Sequence, residues 1–453
     1  MFRRVCLSVA LLLCSVPLWS QVEPSATGGS GATDDDSYMS LQPQISGSFY
    51  PSSVASQERS NVLYGGILVS ASYDDNVLAG ETAKPIGAES YAILPNIELV
   101  ETTSRVRGTL SYSPGFTFYD PTTELNDVTQ NGVADFQYRW TPRLTIGAQE
   151  VFFQNSTVFS EPYTVSGATI SAADSSSSPV VIIPYAGQLT DSTAGHIGYQ
   201  FSRNSMVSAS GSFSSFHFSN TALLSGGLYN SNSGGGSGAY SHRMTRTQAV
   251  GFSYTYSISK TDTFSTTTTN HTVGVLYSVG ISKAFSLALT GGPEYSTTSI
   301  PAASPSVPAP APIHTWAPSV NATIGWQRTR ADLSLSYARA ITTGYGLLGS
   351  FTTDRASMTA GWKFSRRLIG SLSGNYSNTR NATPSLITSN GATGHTIFGR
   401  ASLQYLLGEH LTAVGEYTRL HADYSGITAL SNSPDSDRVT VSLNYVFQRA
   451  LGR

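Results

Sequence analysis

The last sixteen residues, RVTVSLNYVFQRALGR from Arg438 to Arg453, open with a strict alternation. Val439, Val441, Leu443, Tyr445 and Phe447 are apolar, and Arg438, Thr440, Ser442 and Asn444 are their polar neighbours. A period of two puts the two sets on opposite faces of an extended strand. The rhythm recurs from about Val62 onward. In RVRGTLSYSPGFTFYD, Val106, Gly108, Leu110, Tyr112, Pro114, Phe116 and Phe118 share one face; Arg105, Arg107, Thr109, Ser111, Ser113 and Thr117 share the other. Few windows carry a helical period. A chain written this way folds into sheet, and each strand has one oily face to hide.

A soluble sandwich could hide it, but three features point to lipid instead. The alternating units are about ten residues long, which suits a tilted membrane strand. The polar faces are mostly Ser, Thr, Gly, Asn and Gln. Charged residues make up only 12% of the chain while aromatics reach 11%, and the aromatics gather near strand ends as an interfacial girdle requires. In hydrocarbon no sheet edge can be left open, so the strands must close into a barrel.

The connections have their own rhythm. Tight turns fall near Thr103, Thr141–Arg143, Arg203–Asn204, Ser282–Ala284, Thr329, Ser365–Arg367 and Gly408–His410. Long segments rich in Gly, Ser, Asn and Pro alternate with them: Gln154–Asp191, Asn220–His242, Thr297–Trp316, Thr379–Gly394 and Gly426–Ser436. Seventeen strands are clear, and the alternation fails once, between Ile258 and His271. A strand hidden in TDTFSTTTTN, Thr261 to Asn270, repairs it. The expected fold is all-β, a transmembrane antiparallel up-and-down barrel of eighteen strands, with sixteen as the fallback.

The flanks divide simply. Residues 1–20 carry Arg3 and Arg4 and then an apolar run from Val5 to Leu18, the layout of a secretory signal peptide. Both cysteines, Cys6 and Cys14, leave with it, so the mature chain has no disulfide, thiolate metal site or cysteine nucleophile. Losing Arg3 and Arg4 takes the formal net charge from −2 to about −4, which excludes nucleic-acid binding by charge. Residues 21–60 read as a flexible periplasmic leader, 61–447 as the barrel and 448–453 as a periplasmic tail. The run PAASPSVPAPAP, Pro301 to Pro312, reads as a stiff external loop, and SNSGGGSGAYS, Ser231 to Ser241, as another loop.

The stretch VTVSLNYVF resembles the C-terminal closing strand of Gram-negative outer-membrane barrel proteins, which ends its alternation on an aromatic. That resemblance implies an outer-membrane location among lipid and lipopolysaccharide. It also implies that Val439, Val441, Leu443, Tyr445 and Phe447 form the signal read by the barrel-assembly machinery. This chain departs from the pattern in one respect, since QRALGR follows the aromatic.

Catalysis finds little support. GxSxG and HExxH are absent, and no two of the eight histidines are four apart. His421, Asp423, Asp74 and Asp75 resemble the catalytic rim of omptin-like barrel proteases, which have ten strands. The expectation is that the chain is not an enzyme and holds no metal or other cofactor. Charges on the polar phase should face the lumen: Arg105, Arg107, Asp135, Arg139, Lys363, Arg400, Glu416 and Arg438. Six are basic and two acidic, which would favour anions at a constriction. The leading function is a porin-like channel for passive diffusion of small hydrophilic solutes, with the Gln154–Asp191 loop folding inward. The alternatives are an export-associated barrel whose tail docks a periplasmic partner, and a structural or adhesive barrel with binding loops. A homo-oligomer is left open.

Overall fold

The computed structural model describes residues 60–77, 85–157, 185–218, 229–262, 265–282, 284–302, 306, 308–343, 350–382, 393–425 and 435–451. The expected signal peptide and nearly all of the leader lie outside them. Eighteen strands follow one another: β1 Ser60–Asp74, β2 Ala88–Thr102, β3 Val106–Asp120, β4 Asp127–Thr141, β5 Leu144–Thr157, β6 Tyr185–Ser202, β7 Ser205–Phe218, β8 Ser231–Arg243 and β9 Gln248–Thr261. Then come β10 Thr267–Gly280, β11 Phe285–Ser299, β12 Ile313–Gln327, β13 Ala331–Thr343, β14 Ser350–Lys363, β15 Leu368–Asn381, β16 Thr393–Leu406, β17 Leu411–Ser425 and β18 Asp435–Ala450. A 3-10 turn, Thr123–Leu125, sits between β3 and β4.

Each strand pairs antiparallel with its sequence neighbours, and β1 pairs with β18 to close the ring. The closing ladder runs from Val62–Ala450 to Asp74–Arg438. The C-terminal QRA, expected as tail, is therefore strand, paired to β1.

The strand count agrees with the sequence, but the hidden strand was expected in the wrong place. Thr261 ends β9 and donates its backbone N–H to the Thr266 carbonyl at 3.1 Å, and Thr267 opens β10, so TDTFSTTTTN supplies no separate strand among the described residues. The missing strand is β8, whose glycines Gly234, Gly235, Gly236 and Gly238 erase the alternation. Gly235 permits close packing against β9: a Cβ there would lie 2.6 Å from the Tyr256 carbonyl oxygen.

The tight turns share a device. A Ser or Thr at the turn's start accepts hydrogen bonds from backbone N–H groups two and three residues on. Thr141 accepts from Arg143 at 3.2 Å and Leu144 at 3.0 Å. Ser282 accepts from Ala284 and Phe285, and Ser365 from Arg367 and Leu368. These short turns all lie at one end of the barrel, and the longer connections lie at the other.

The exterior is oily. Ile67, Ile97, Phe213, Phe252, Val273, Leu403, Val441 and Leu443 are exposed large apolar residues on outward phases. On β12, Trp326 near the turn end and Trp316 near the loop end are ten residues apart. At about 3.4 Å per residue and a tilt of about 40°, they stand about 25 Å apart along the axis, the height of a membrane barrel's apolar band. Several buried apolar residues, among them Tyr119, Phe216, Phe351, Leu420 and Tyr424, sit elsewhere, on the inner phase at the loop end.

Candidate functional site: the lumen

The inner face is polar along most of its height, and neighbouring hydroxyls bond across the strands. Ser210–Ser237 (2.7 Å), Ser336–Ser357 (2.5 Å) and Ser371–Ser402 (2.6 Å) form such pairs. Lateral bonding of this kind satisfies the wall without filling the space in front of it.

All of the sequence-predicted lumen charges except Arg105 stand on inward-facing strand positions. Arg105 lies in the exposed turn between β2 and β3. Arg107 and Lys363 are exposed near the turn end. Arg139 donates to the Ser104 carbonyl at 2.6 Å, which ties it to that same turn. Arg400 on β16 meets Glu416 on β17 at 3.3 Å, with both side chains about three-quarters buried. Arg438 donates to Ser90 at 3.2 Å and stands opposite Asp74 across the closing ladder. Asp74 accepts from the Asn76 N–H and the Ser436 hydroxyl, both at 2.9 Å.

Asp135 lies diagonally from Arg107 across the β3–β4 ladder. The His196 ring on β6 lies across Gly147 of β5, where an added Cβ would sit 2.1 Å from its Cε1. Only glycine leaves room for that ring. Arg107, Asp135 and His196 thus form one lumen patch drawn from four neighbouring strands, with β5 supplying the gap.

The sequence reading missed several inward charges. Glu98, Asp127, Glu294 and Asp332 add acid, and Arg243 and Arg355 add base. With them the inner face is close to charge balance, so the expected basic excess does not extend to the whole lumen. The signal was present for some: Arg355 is in phase with Lys363, and Asp127 with Asp135. The loop expected to fold inward, Gln154–Asp191, turns out to be strand at both ends, and its middle lies outside the described residues.

The paired acids of the suggested protease-like rim are split between the two faces of the wall: Asp75 is exposed on the exterior, where its carboxylate accepts from the Asp437 N–H at 2.8 Å. Asp74 faces inward and is buried, whereas His421 faces outward and pairs with Asp435 at 2.6 Å. The barrel wall separates them. Beside His421, Arg419 meets Asp437 at 3.1 Å, also on the exterior.

Wall, oily belt and polar interior together define the class: a transmembrane β-barrel of the outer-membrane, porin-like kind. No protein-family model matches the chain, and no curated protein matches it. Among solved structures it is similar to OpdQ of Pseudomonas aeruginosa, at 10% identity and a TM-score of 0.42 over 86% of this chain and 99% of that one. It is similar to OccAB4 of Acinetobacter baumannii at the same identity, coverage and TM-score. It is also similar to OpdK of Pseudomonas aeruginosa, solved with vanillate, at 11% identity and a TM-score of 0.41 over 85% and 99%. Likeness at this level transfers no residue and no solute.

Proposed function

We propose that the chain is a porin-like channel of a Gram-negative outer membrane, through which small hydrophilic solutes diffuse passively. One observation carries the reading: a closed eighteen-strand wall that is oily outside and hydroxyl-rich inside. At that strand number side chains cannot span the interior, and water fills it. The turn end then faces the periplasm. Tyr445 and Phe447 on β18 serve the barrel-assembly machinery, and the exterior rim at Arg419 and His421 meets lipopolysaccharide.

Selectivity follows position more than total charge. Arg355, Arg400 and Arg438 line one arc of the wall, β14 to β18, where Glu416 is the partner of Arg400. That arc supports a mild preference for anions. Planar-bilayer recording of the purified protein tests both parts. Discrete steps, with a reversal potential displaced toward the anion's equilibrium value under a salt gradient, are expected. Absence of steps would defeat the channel, and a cation-directed reversal would defeat the selectivity.

A further inference from the structure

The wall is interrupted where β12 should meet β13. Their ladder runs only from Gln327–Asp332 to Val320–Arg339, although both strands continue toward the loop end. The sequence supplies a reason. Pro293 on β11 and Pro318 on β12 stand directly opposite each other. Opposed residues in an antiparallel pair exchange two backbone bonds or none, and proline has no N–H to exchange. This pair therefore exchanges none, and the edge on which each proline lacks a donor faces its other neighbour. For Pro318 that neighbour is β13. For Pro293 it is β10, and there too the ladder skips, from Thr272–Glu294 to Val275–Gly291.

Beyond the break, β13 does not hang free. The Ile341 N–H donates 2.8 Å to the Glu294 carboxylate, which points inward from β11. The Ile341 carbonyl accepts from the Asn270 amide, which points inward from β10, at 3.5 Å. Thr315, on the inner phase of β12, donates to the Ala382 carbonyl just past β15 at 3.3 Å. Three groups on the inner face of β10–β12 thus hold the far ends of β13 and β15. Ile341 stands on an outward phase, yet it is 3% exposed, while Leu335 and Tyr337 below it are 40% and 39% exposed. Its outer side is covered by the neighbouring strands. The barrel overlaps itself here like a scroll, with the β13–β15 tips inside.

We propose that these tips form a flap on the outer mouth of the channel. Latched by Glu294 and Asn270, it narrows the lumen; released, it swings outward, zips onto β12 and widens it. Extending the existing register would bring Ser319 opposite Ala340 and Ala317 opposite Thr342. The zipped state lacks the ladder bond that Pro318 cannot donate. The latched state supplies Ile341 with substitutes for both of its ladder bonds. The two arrangements therefore compete closely, which is what a two-position element requires. The role in gating rests on the channel reading; the movement does not.

Cysteines at Ala317 and Thr342 test the movement, since the chain's only native cysteines are Cys6 and Cys14. The double variant A317C/T342C should cross-link on oxidation in membranes, and the oxidised channel should hold a larger conductance that reverts with reductant. Glu294→Leu removes a charge-assisted acceptor and should raise occupancy of the larger level by about tenfold or more. A pair that never cross-links, an oxidised channel with the reduced channel's conductance, or an E294L channel that behaves as wild type would overturn the flap. If E294L fails to fold, the cysteine pair still decides, because it keeps Glu294. A cross-link that forms in a protein giving no conductance would support the movement and refute the channel instead.

Discussion

Phe213 and Ser212 are neighbours on β7 that face opposite solvents. Phe213 points outward, 53% exposed, opposite Thr193 and Gly234. Ser212 points inward and is exposed to the lumen, opposite Ala194 and Gly235. Phe213 stands six residues above Val207, which lies level with Tyr199 and Tyr240 of the turn-end girdle. Six residues at about 3.4 Å each and a tilt of about 40° give a height of about 15 Å, the middle of an apolar band about 25 Å tall. An arginine on the lipid face at that depth costs about 2–4 kcal/mol. That is roughly a 30- to 1,000-fold loss in the folding equilibrium. Ser212→Arg, one residue away, meets water and should cost about 0.5 kcal/mol or less. Urea titration of both variants refolded into lipid vesicles, read by tryptophan fluorescence and by heat-dependent gel mobility, measures the difference. Equal penalties, or a larger one for Ser212→Arg, would refute the assignment of faces.

Glu416→Gln should remove the negative charge that meets Arg400 and move the bilayer reversal potential further toward the anion; no movement would place that pair away from the ion path. Gly147→Ala should displace the His196 ring and destabilise the barrel by about 1–3 kcal/mol, as overpacking does, and the double variant with His196→Ala should restore most of that loss in the same urea titration. Truncation after Phe447 removes the pairs of Gln448, Arg449 and Ala450 with Tyr64, Leu63 and Val62. It should lower the unfolding midpoint measurably, at about 0.5–1.5 kcal/mol for each backbone bond lost, while the shortened protein still inserts.

The parts of the fold readable from the sequence were those governed by alternation and turn chemistry. The oily phase of β3 and β18 gave their faces directly, and the alternation of short and long connections marked the turn end. β8 was hidden because four glycines carry no polarity to alternate, and Thr267–Asn270 misled because threonine suits either face. Inward aromatics such as Phe216, Phe351 and Tyr424 also break the simple rule of polar inside, since at the loop end they are buried instead of facing water. Near the turn end Arg107, Arg139 and Lys363 were legible, whereas Arg243 and Asp332 were passed over. Glu98 and Glu294 were also passed over, because each is a lone charge on the inner phase of its strand. The β12–β13 break needed three-dimensional register: Pro293 and Pro318 are far apart in sequence, and only their pairing shows which edge each one disables.

The two-faced wall is tested most directly by single cysteines placed from Val207 to Phe213 on β7 in membrane-embedded protein. A charged, water-soluble thiol reagent should label Ser208, Ser210 and Ser212 positions from the lumen and spare Val207, Ala209, Gly211 and Phe213. A lipid-partitioning reagent should show the opposite pattern. Uniform labelling by the water-soluble reagent, or none at the serine positions, would contradict a barrel that encloses water and turns its oily side to the bilayer.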